Sequence, residues 1–360
     1  MVSTDLAARE RFAILDGMRG LAALAVITDH VPSEALTGLL PGRYLAVDFF
    51  FVLSGFVLAH VYLDRLRGGM TVGQFLRVRV IRLYPLYLAG TALGAVLMLI
   101  SIMQGWNDAA LPQLAGSLLF ALFLLPCPPP LSIWPNAPYP LNGPAWSLFF
   151  ELFVNTIFAL AARWLTPAAS LVFVALGGVL LVPTAFGFGQ LDGGFAWSNF
   201  IAGFPRVTFS FFAGVWLYQV RAHDRLPALP AWAAYALLAL VFMIPGEGAA
   251  RALIDLFAVL IVFPLLVATS ANAPAGRTLL HVSTIIGVLS YGVYILHVPL
   301  WGWTELVLGR FHIELPGAAD VALAAIVALS AAAFLDAFYD RPLRRRLSRK
   351  RLPAAVPARD

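Results

Sequence analysis

Residues 12–31 read FAILDGMRGLAALAVITDHV. A run of this length spans about 30 Å of hydrocarbon as an α-helix. With no water to satisfy the backbone inside a bilayer, it must be helical there. Four ionisable groups, Asp16, Arg19, Asp29 and His30, interrupt it. No small-residue cleavage site follows, so the run reads as a retained first helix and not as a signal peptide.

Working outward, further apolar segments fall at 44–63, 83–103, 111–125, 144–165, 168–187, 199–219, 231–245, 251–270, 283–302 and 318–338. The whole 360-residue chain is 61% hydrophobic and 12% charged, with a mean hydropathy of +0.84. That balance leaves too little charge to cover a water-soluble globule. The expected fold is therefore all-α: a polytopic integral membrane protein. The segment 111–125 is too short for an ordinary crossing and precedes a proline-rich stretch, so it reads as re-entrant or interfacial. Cys127 is the only cysteine, which rules out an intramolecular disulfide.

The positive-inside rule sets the topology. With the N-terminus cytoplasmic and 111–125 not crossing, Arg9, Arg11, Arg65, Arg67, Arg77, Arg79, Arg82, Arg163, Arg221, Arg225 and Arg277 fall inside, as does the basic tail from Arg341. Only Arg43, Arg251 and Arg310 fall outside, while Arg19 and Arg206 lie within spans. Ten spanning helices with both termini cytoplasmic follow. The expected organisation is a cytoplasmic N-terminus at 1–11, a transmembrane domain at 12–340 and a basic tail at 341–360. The net charge of +5 thus reads as a topology signal rather than as a nucleic-acid surface. The chain has neither duplicated halves nor a period, so an inverted-repeat transporter gains no support.

A charge in the bilayer core is expensive unless paired or hydrated, which makes each one a functional candidate. Arg19 and His30 are about three helical turns apart and share a face, roughly 16 Å apart along the axis. Asp16 can pair with Arg19 on that face. Topology puts His30, Asp48, Glu151, Arg206 and His297 in the outer half, with Arg77, Arg79 and Arg82 at the inner mouth. Each also has a plainer reading: helix capping for Asp48, snorkelling for Arg79 and Arg82, an interfacial histidine at His297, a buried ion pair at Asp16–Arg19. The six histidines and one cysteine show no metal-ligand spacing, and no metal is expected.

Six stretches together resemble the membrane-bound acyltransferase-3 family, which includes sugar O-acetyltransferases. They are LDGMRGLAALAVITDH at 15–30, VDFFFVLSGF at 47–56, RVRVIRLYPLY at 77–87, WSLFFELF at 146–153, FPRVTFSFFAG at 204–214 and SYGVYILHVPL at 290–300. In the first, Arg19, ten residues and His30 fit the family's basic-X10-His signature. Arg79 and Arg82 match its Arg-X-X-Arg pair, and Glu151 matches its glutamate. Asp29 departs from the family pattern, which usually has an apolar residue before the histidine.

The resemblance implies ten core helices in a bacterial inner membrane. It also implies a cytoplasmic acyl-CoA donor, by default acetyl-CoA, and no permanently bound cofactor. The acceptor would be a hydroxyl of a glycan, glycolipid or another metabolite, reached from outside. Arg79 and Arg82 would hold the CoA phosphates, with Arg19 lining the channel deeper in. His30 would act as general base or as a transient acyl carrier, oriented by Glu151 or Asp48. Tyr291 and Arg206 are candidates for polarising the thioester or binding the acceptor. Either the helices alone finish the transfer or a separate glycan-assembly partner does. A transporter or flippase for a lipid-linked or anionic solute would use the same charges as a relay, and a scaffold would need neither Arg19 nor His30.

Overall fold

The structure is a computed structural model that describes residues 12–31, 38–107 and 110–349. The expected cytoplasmic N-terminus, with Arg9 and Arg11, and the end of the tail, with Lys350, Arg351 and Arg359, lie outside the described residues. The described residues are helical, without a strand.

In chain order the helices are α1 (Ala13–Ile27), α2 (Ala46–Arg67), α3 (Val72–Met103), α4 (Leu111–Leu122), α5 (Ala145–Ala161) and α6 (Pro167–Phe188). Then come α7 (Gly203–Gln219), α8 (Ala231–Met243), α9 (Gly248–Phe257), α10 (Phe263–Ser270), α11 (Arg277–Arg310), α12 (Gly317–Leu335) and α13 (Arg341–Arg349). A π-turn at Ala258–Val262 joins α9 to α10, and another at Asp336–Asp340 joins α12 to α13.

Seven segments among the described residues are long and apolar enough to cross a membrane: Arg43–Arg67, Val72–Met103, Pro167–Phe188, Phe200–Gln219, Gly248–Ser270, Arg277–Arg310 and Gly317–Ser348. Leu111–Leu122, Ala145–Ala161 and Ala231–Met243 are shorter apolar helices. The chain is thus a multi-pass membrane protein. Local sequence explains the helix ends. Thr71 and Gln74 close a reciprocal capping box at the start of α3, with Gln74 N–H donating to Thr71 Oγ1 at 3.2 Å and Thr71 N–H to Gln74 Oε1 at 2.9 Å. Thr166 caps α6 ahead of Pro167, and α5 starts straight after Pro144.

Burial separates the centre of the bundle from its rim. In the most apolar window 72% of residues are buried for the segments containing α2 and α7, but 17% for α6. The rim helices turn Val172, Leu176 and Val179 outward, as expected where the solvent is lipid. The helix α2 packs along α7, and α1 packs along α11. The α2–α7 approach depends on two glycines: a Cβ on Gly55 would strike the Phe211 carbonyl, and one on Gly214 the Val52 carbonyl. Small residues at such crossings let backbones approach closely enough for dense packing.

Candidate functional site

α1 and α11 together build one part of the site. Asp16 pairs with Arg19 at 2.7 Å. Arg19 also reaches across to α11, donating from Nε to Ser290 Oγ at 2.9 Å and from Nη2 to the Gly287 carbonyl at 3.1 Å. The helix stops at Ile27, so His30 sits in the turn beyond it rather than on the helix itself. It still meets α11: His297 Nε2 lies 3.2 Å from His30 Nδ1, with the rings edge to face at a centroid distance of 4.9 Å. His30 is exposed, whereas His297 is buried.

The proton positions in this pair follow from its neighbours. His297 Nδ1 is 2.7 Å from the Tyr294 carbonyl. A carbonyl only accepts, so this nitrogen carries the proton and Nε2 of the neutral ring is an acceptor. His30 Nδ1, facing that acceptor and the Val26 carbonyl at 3.3 Å, must then be the donor. His30 Nε2 is left with an available lone pair. A second histidine therefore fixes the tautomer of the first, the task a carboxylate performs in a catalytic triad.

The carboxylates expected to orient His30 are engaged elsewhere. Asp48 is fully buried and grips Arg206, whose Nη2 lies 2.6 Å from Asp48 Oδ2 and whose Nε is 3.2 Å from both oxygens. Arg206 also donates to the Tyr44 carbonyl at 3.2 Å and the Gly193 carbonyl at 2.5 Å. The Trp146 ring lies 5.4 Å from its guanidinium carbon. These contacts occupy both Asp48 and Arg206, so the structure brings neither to His30.

Glu151 and Arg79 meet each other, contrary to the expected split between outer acid–base groups and an inner anion mouth. Arg79 Nη2 donates to Glu151 Oε1 at 2.5 Å, and Ser54 Oγ donates to the same oxygen at 2.9 Å. Each lies about two turns into its helix, α3 and α5, which places the pair deep in the bundle. Arg79 is 6% exposed, and its Nε has no partner among the described residues. Arg82, one turn further along α3, is half-buried and makes no hydrogen bond or ion pair among the described residues. Tyr291 donates its hydroxyl to the Leu83 carbonyl at 2.5 Å, tying α11 to α3 rather than facing His30.

Ser54, Ser147 and Tyr294 are functional candidates that the sequence reading passed over. Tyr294 and Ser147 hydroxyls lie 2.8 Å apart, and Tyr294 supplies the carbonyl that sets the His297 tautomer. All three fall inside the quoted motifs, but their spacing gave no sign of a role. No group of three or more His, Cys, Asp or Glu side chains among the described residues is arranged to hold a metal ion.

The whole site lies inside a region with a clear kinship. A family model described as an acyltransferase domain, acyltransferase-3, matches residues 12–336. A protein of Rhizobium radiobacter named "Protein 2 in picA locus" is 41% identical over 184 residues, 49% of this chain and 95% of that protein. A protein of Komagataeibacter xylinus provisionally named membrane-bound transacylase BcsY is 28% identical over 329 residues, 86% of this chain and 77% of that protein. No solved structure matches. The match spans Arg19, His30, Arg79, Glu151 and His297 alike, and the chain therefore belongs to the acyltransferase-3 family of multi-pass membrane acyltransferases.

Proposed function

We propose that the chain moves an acyl group, by default acetyl, from cytoplasmic acyl-CoA to a hydroxyl on the far side of a bacterial inner membrane. The acceptor on this reading is a sugar of a surface polysaccharide or glycolipid. Ten spanning helices with both termini cytoplasmic are the topology this requires. Its shortest members are α1, α5 and α8, at 15, 17 and 13 residues, and α4, at 12 residues, is read as not crossing.

The observation that carries the reading is the His30–His297 pair, whose geometry leaves His30 Nε2, at an exposed position, without a partner among the described residues. His30 Nε2 takes the proton of the acceptor hydroxyl as its oxygen attacks the thioester carbonyl. The carbon–sulfur bond then breaks, and the departing thiolate recovers the proton as CoA thiol. Meanwhile Nδ1–H of the imidazolium stays on His297 Nε2, which shares the positive charge. The same Nε2 suits a transient acyl carrier. An acyl-histidine that accumulates when acceptor is withheld distinguishes that route. Arg82, with Arg79 behind it, supplies guanidinium donors for CoA phosphates, and Arg19 lines the path between them and His30.

The test is reconstitution into vesicles with acyl-CoA on one side only. Free CoA thiol and a new ester should appear together, and both should be lost in His30→Ala while the variant remains folded. Solute flux without CoA release would favour a transporter instead.

A further inference from the structure

His30 lies beyond the end of its helix, so something outside α1 must hold it. The three residues Thr28, Asp29 and His30 close a tight turn, their N–H groups donating to the carbonyls of Ala25, Val26 and Ile27 at 3.0–3.1 Å. Ends of helices fray readily unless tied down. The tie here is Asp29: its Oδ1 lies 2.6 Å from Arg43 Nη2, with side chains 27% and 13% exposed.

Arg43 is a fixed point. Its Nη1 donates to the Leu40 carbonyl at 3.2 Å, and it opens the 3-10 turn Arg43–Leu45. The next residue, Tyr44, is bound from two helices, and Gly42 before it from a third. Its carbonyl accepts from Arg206 of α7 at 3.2 Å. Its hydroxyl donates to Asp255 Oδ2 of α9 at 2.7 Å, and Asp255 is itself gripped by Arg251. Gly42 N–H donates to the Phe242 carbonyl of α8 at 2.9 Å. Ion pairs and hydrogen bonds, joined through the Arg43–Tyr44 backbone, thus lead from the buried Asp48–Arg206 pair to the turn that carries His30.

From this we infer that Asp29 and Arg43 form a positioning clamp that keeps the His30 turn against His297, and that Asp29, where the family usually has an apolar residue, is this chain's own anchor for its base. The inference rests on His30 being the proton acceptor for its effect on turnover, but not for its effect on geometry. Asp29 need not touch the imidazole. Adjacent residues of a turn point apart, and its carboxylate goes to Arg43.

Two readouts separate the clamp from the catalytic reading. The chain has a single, buried cysteine, Cys127, so a Cys127→Ser background accepts a reporter pair, His30→Cys with His297→Cys. A short bifunctional thiosulfonate should cross-link the two in native membranes. Adding Asp29→Asn or Arg43→Gln should cut the yield severalfold, while Asp29→Glu and Arg43→Lys, which keep the charges, should preserve most of it. Yields are compared only for protein that remains monodisperse. An Asp29→Asn yield equal to its parent overturns the clamp. In the chain with native histidines, Asp29→Asn should lower kcat by about tenfold, as expected when a reacting group is misplaced by a fraction of an ångström to an ångström. The KM for acyl-CoA should not change. If cross-linking collapses while kcat holds, the clamp stands and the assignment of His30 as base falls.

Discussion

Asp48–Arg206 and Glu151–Arg79 are both carboxylate–guanidinium pairs buried in the helix bundle, but they differ in how completely they are satisfied. Arg206 sends Nε, Nη1 and Nη2 to oxygen acceptors and lies against the face of Trp146. Its partner Asp48 is fully buried. In the other pair Glu151 stays 20% exposed, and Arg79 spends one nitrogen on the carboxylate and leaves Nε without a partner among the described residues. Buried polar groups in folded proteins are almost always paired, so an unpaired donor calls for an explanation. The saturated pair is a structural rivet. On the proposed function, the under-used pair is where a donor molecule's carbonyl or phosphate oxygen would complete the set.

Removing one partner of the saturated pair should have the largest effect. Asp48→Ala strands a guanidinium in the bundle, at a cost of about 3–5 kcal/mol, and should abolish recovery of monodisperse protein. Asp48→Ala with Arg206→Met should recover part of the loss. A single variant that purifies with the wild-type thermal midpoint would refute the assignment of this pair as the rivet.

Next comes Arg79→Gln. It should lower acyl transfer at least about tenfold, which is about 1.4 kcal/mol of barrier, with a smaller drop in thermal midpoint than Asp48→Ala causes. The reverse order, stable protein from Asp48→Ala and collapse from Arg79→Gln, would invert the comparison. His297→Ala should lower kcat by on the order of tenfold through loss of the His30 tautomer. His297→Gln, whose side-chain oxygen can still accept from His30 Nδ1–H, should recover part of that. Equal kcat in His297→Ala and wild type would leave the pair without a catalytic role.

The smallest effect should come from Asp192, in the loop after α6. Burial raises its pKa from 3.8 to about 6 against the opposing pull of Arg206, with Asp29 also raising it. The folded protein therefore keeps a proton that the unfolded chain releases between about pH 4 and pH 6. This group's contribution to stability falls as pH rises through that window. Asp192→Asn should match wild type near pH 4 and exceed it near pH 7 by on the order of 1 kcal/mol, discounted for its partial exposure. Thermal midpoints across that range test the sign, and a variant weaker than wild type at pH 7 contradicts it.

The sequence disclosed what is local. The Asp16–Arg19 pair follows from an i,i+3 spacing and is present. The capping box at Thr71 and the apolar run lengths likewise need only near neighbours. Hydropathy and charge asymmetry led only to the expectation that His30, Asp48, Glu151, Arg206 and His297 share one outer layer. They could not say which members of the layer touch. Asp48 and Arg206 are 158 positions apart, His30 and His297 267 apart, and helical spacing carries no information across such separations. Glu151 and Asp48 were therefore alternative partners for the base, and neither is bonded to it. Glu151 was grouped by its side of the membrane, while its depth, about two turns into α5, is what brings it to Arg79. The end of α1 at Ile27 was also hidden, because an apolar run gives no mark where a helix gives way to a turn.

The most direct measurement is mass spectrometry of O-acyl esters on the cell's surface glycans and lipids, comparing wild type, a deletion strain and His30→Ala at matched membrane levels. Acyl transfer through His30 predicts an ester mass present in wild type and absent from both mutants. An ester lost in the deletion but retained in His30→Ala would contradict the central role given to that histidine.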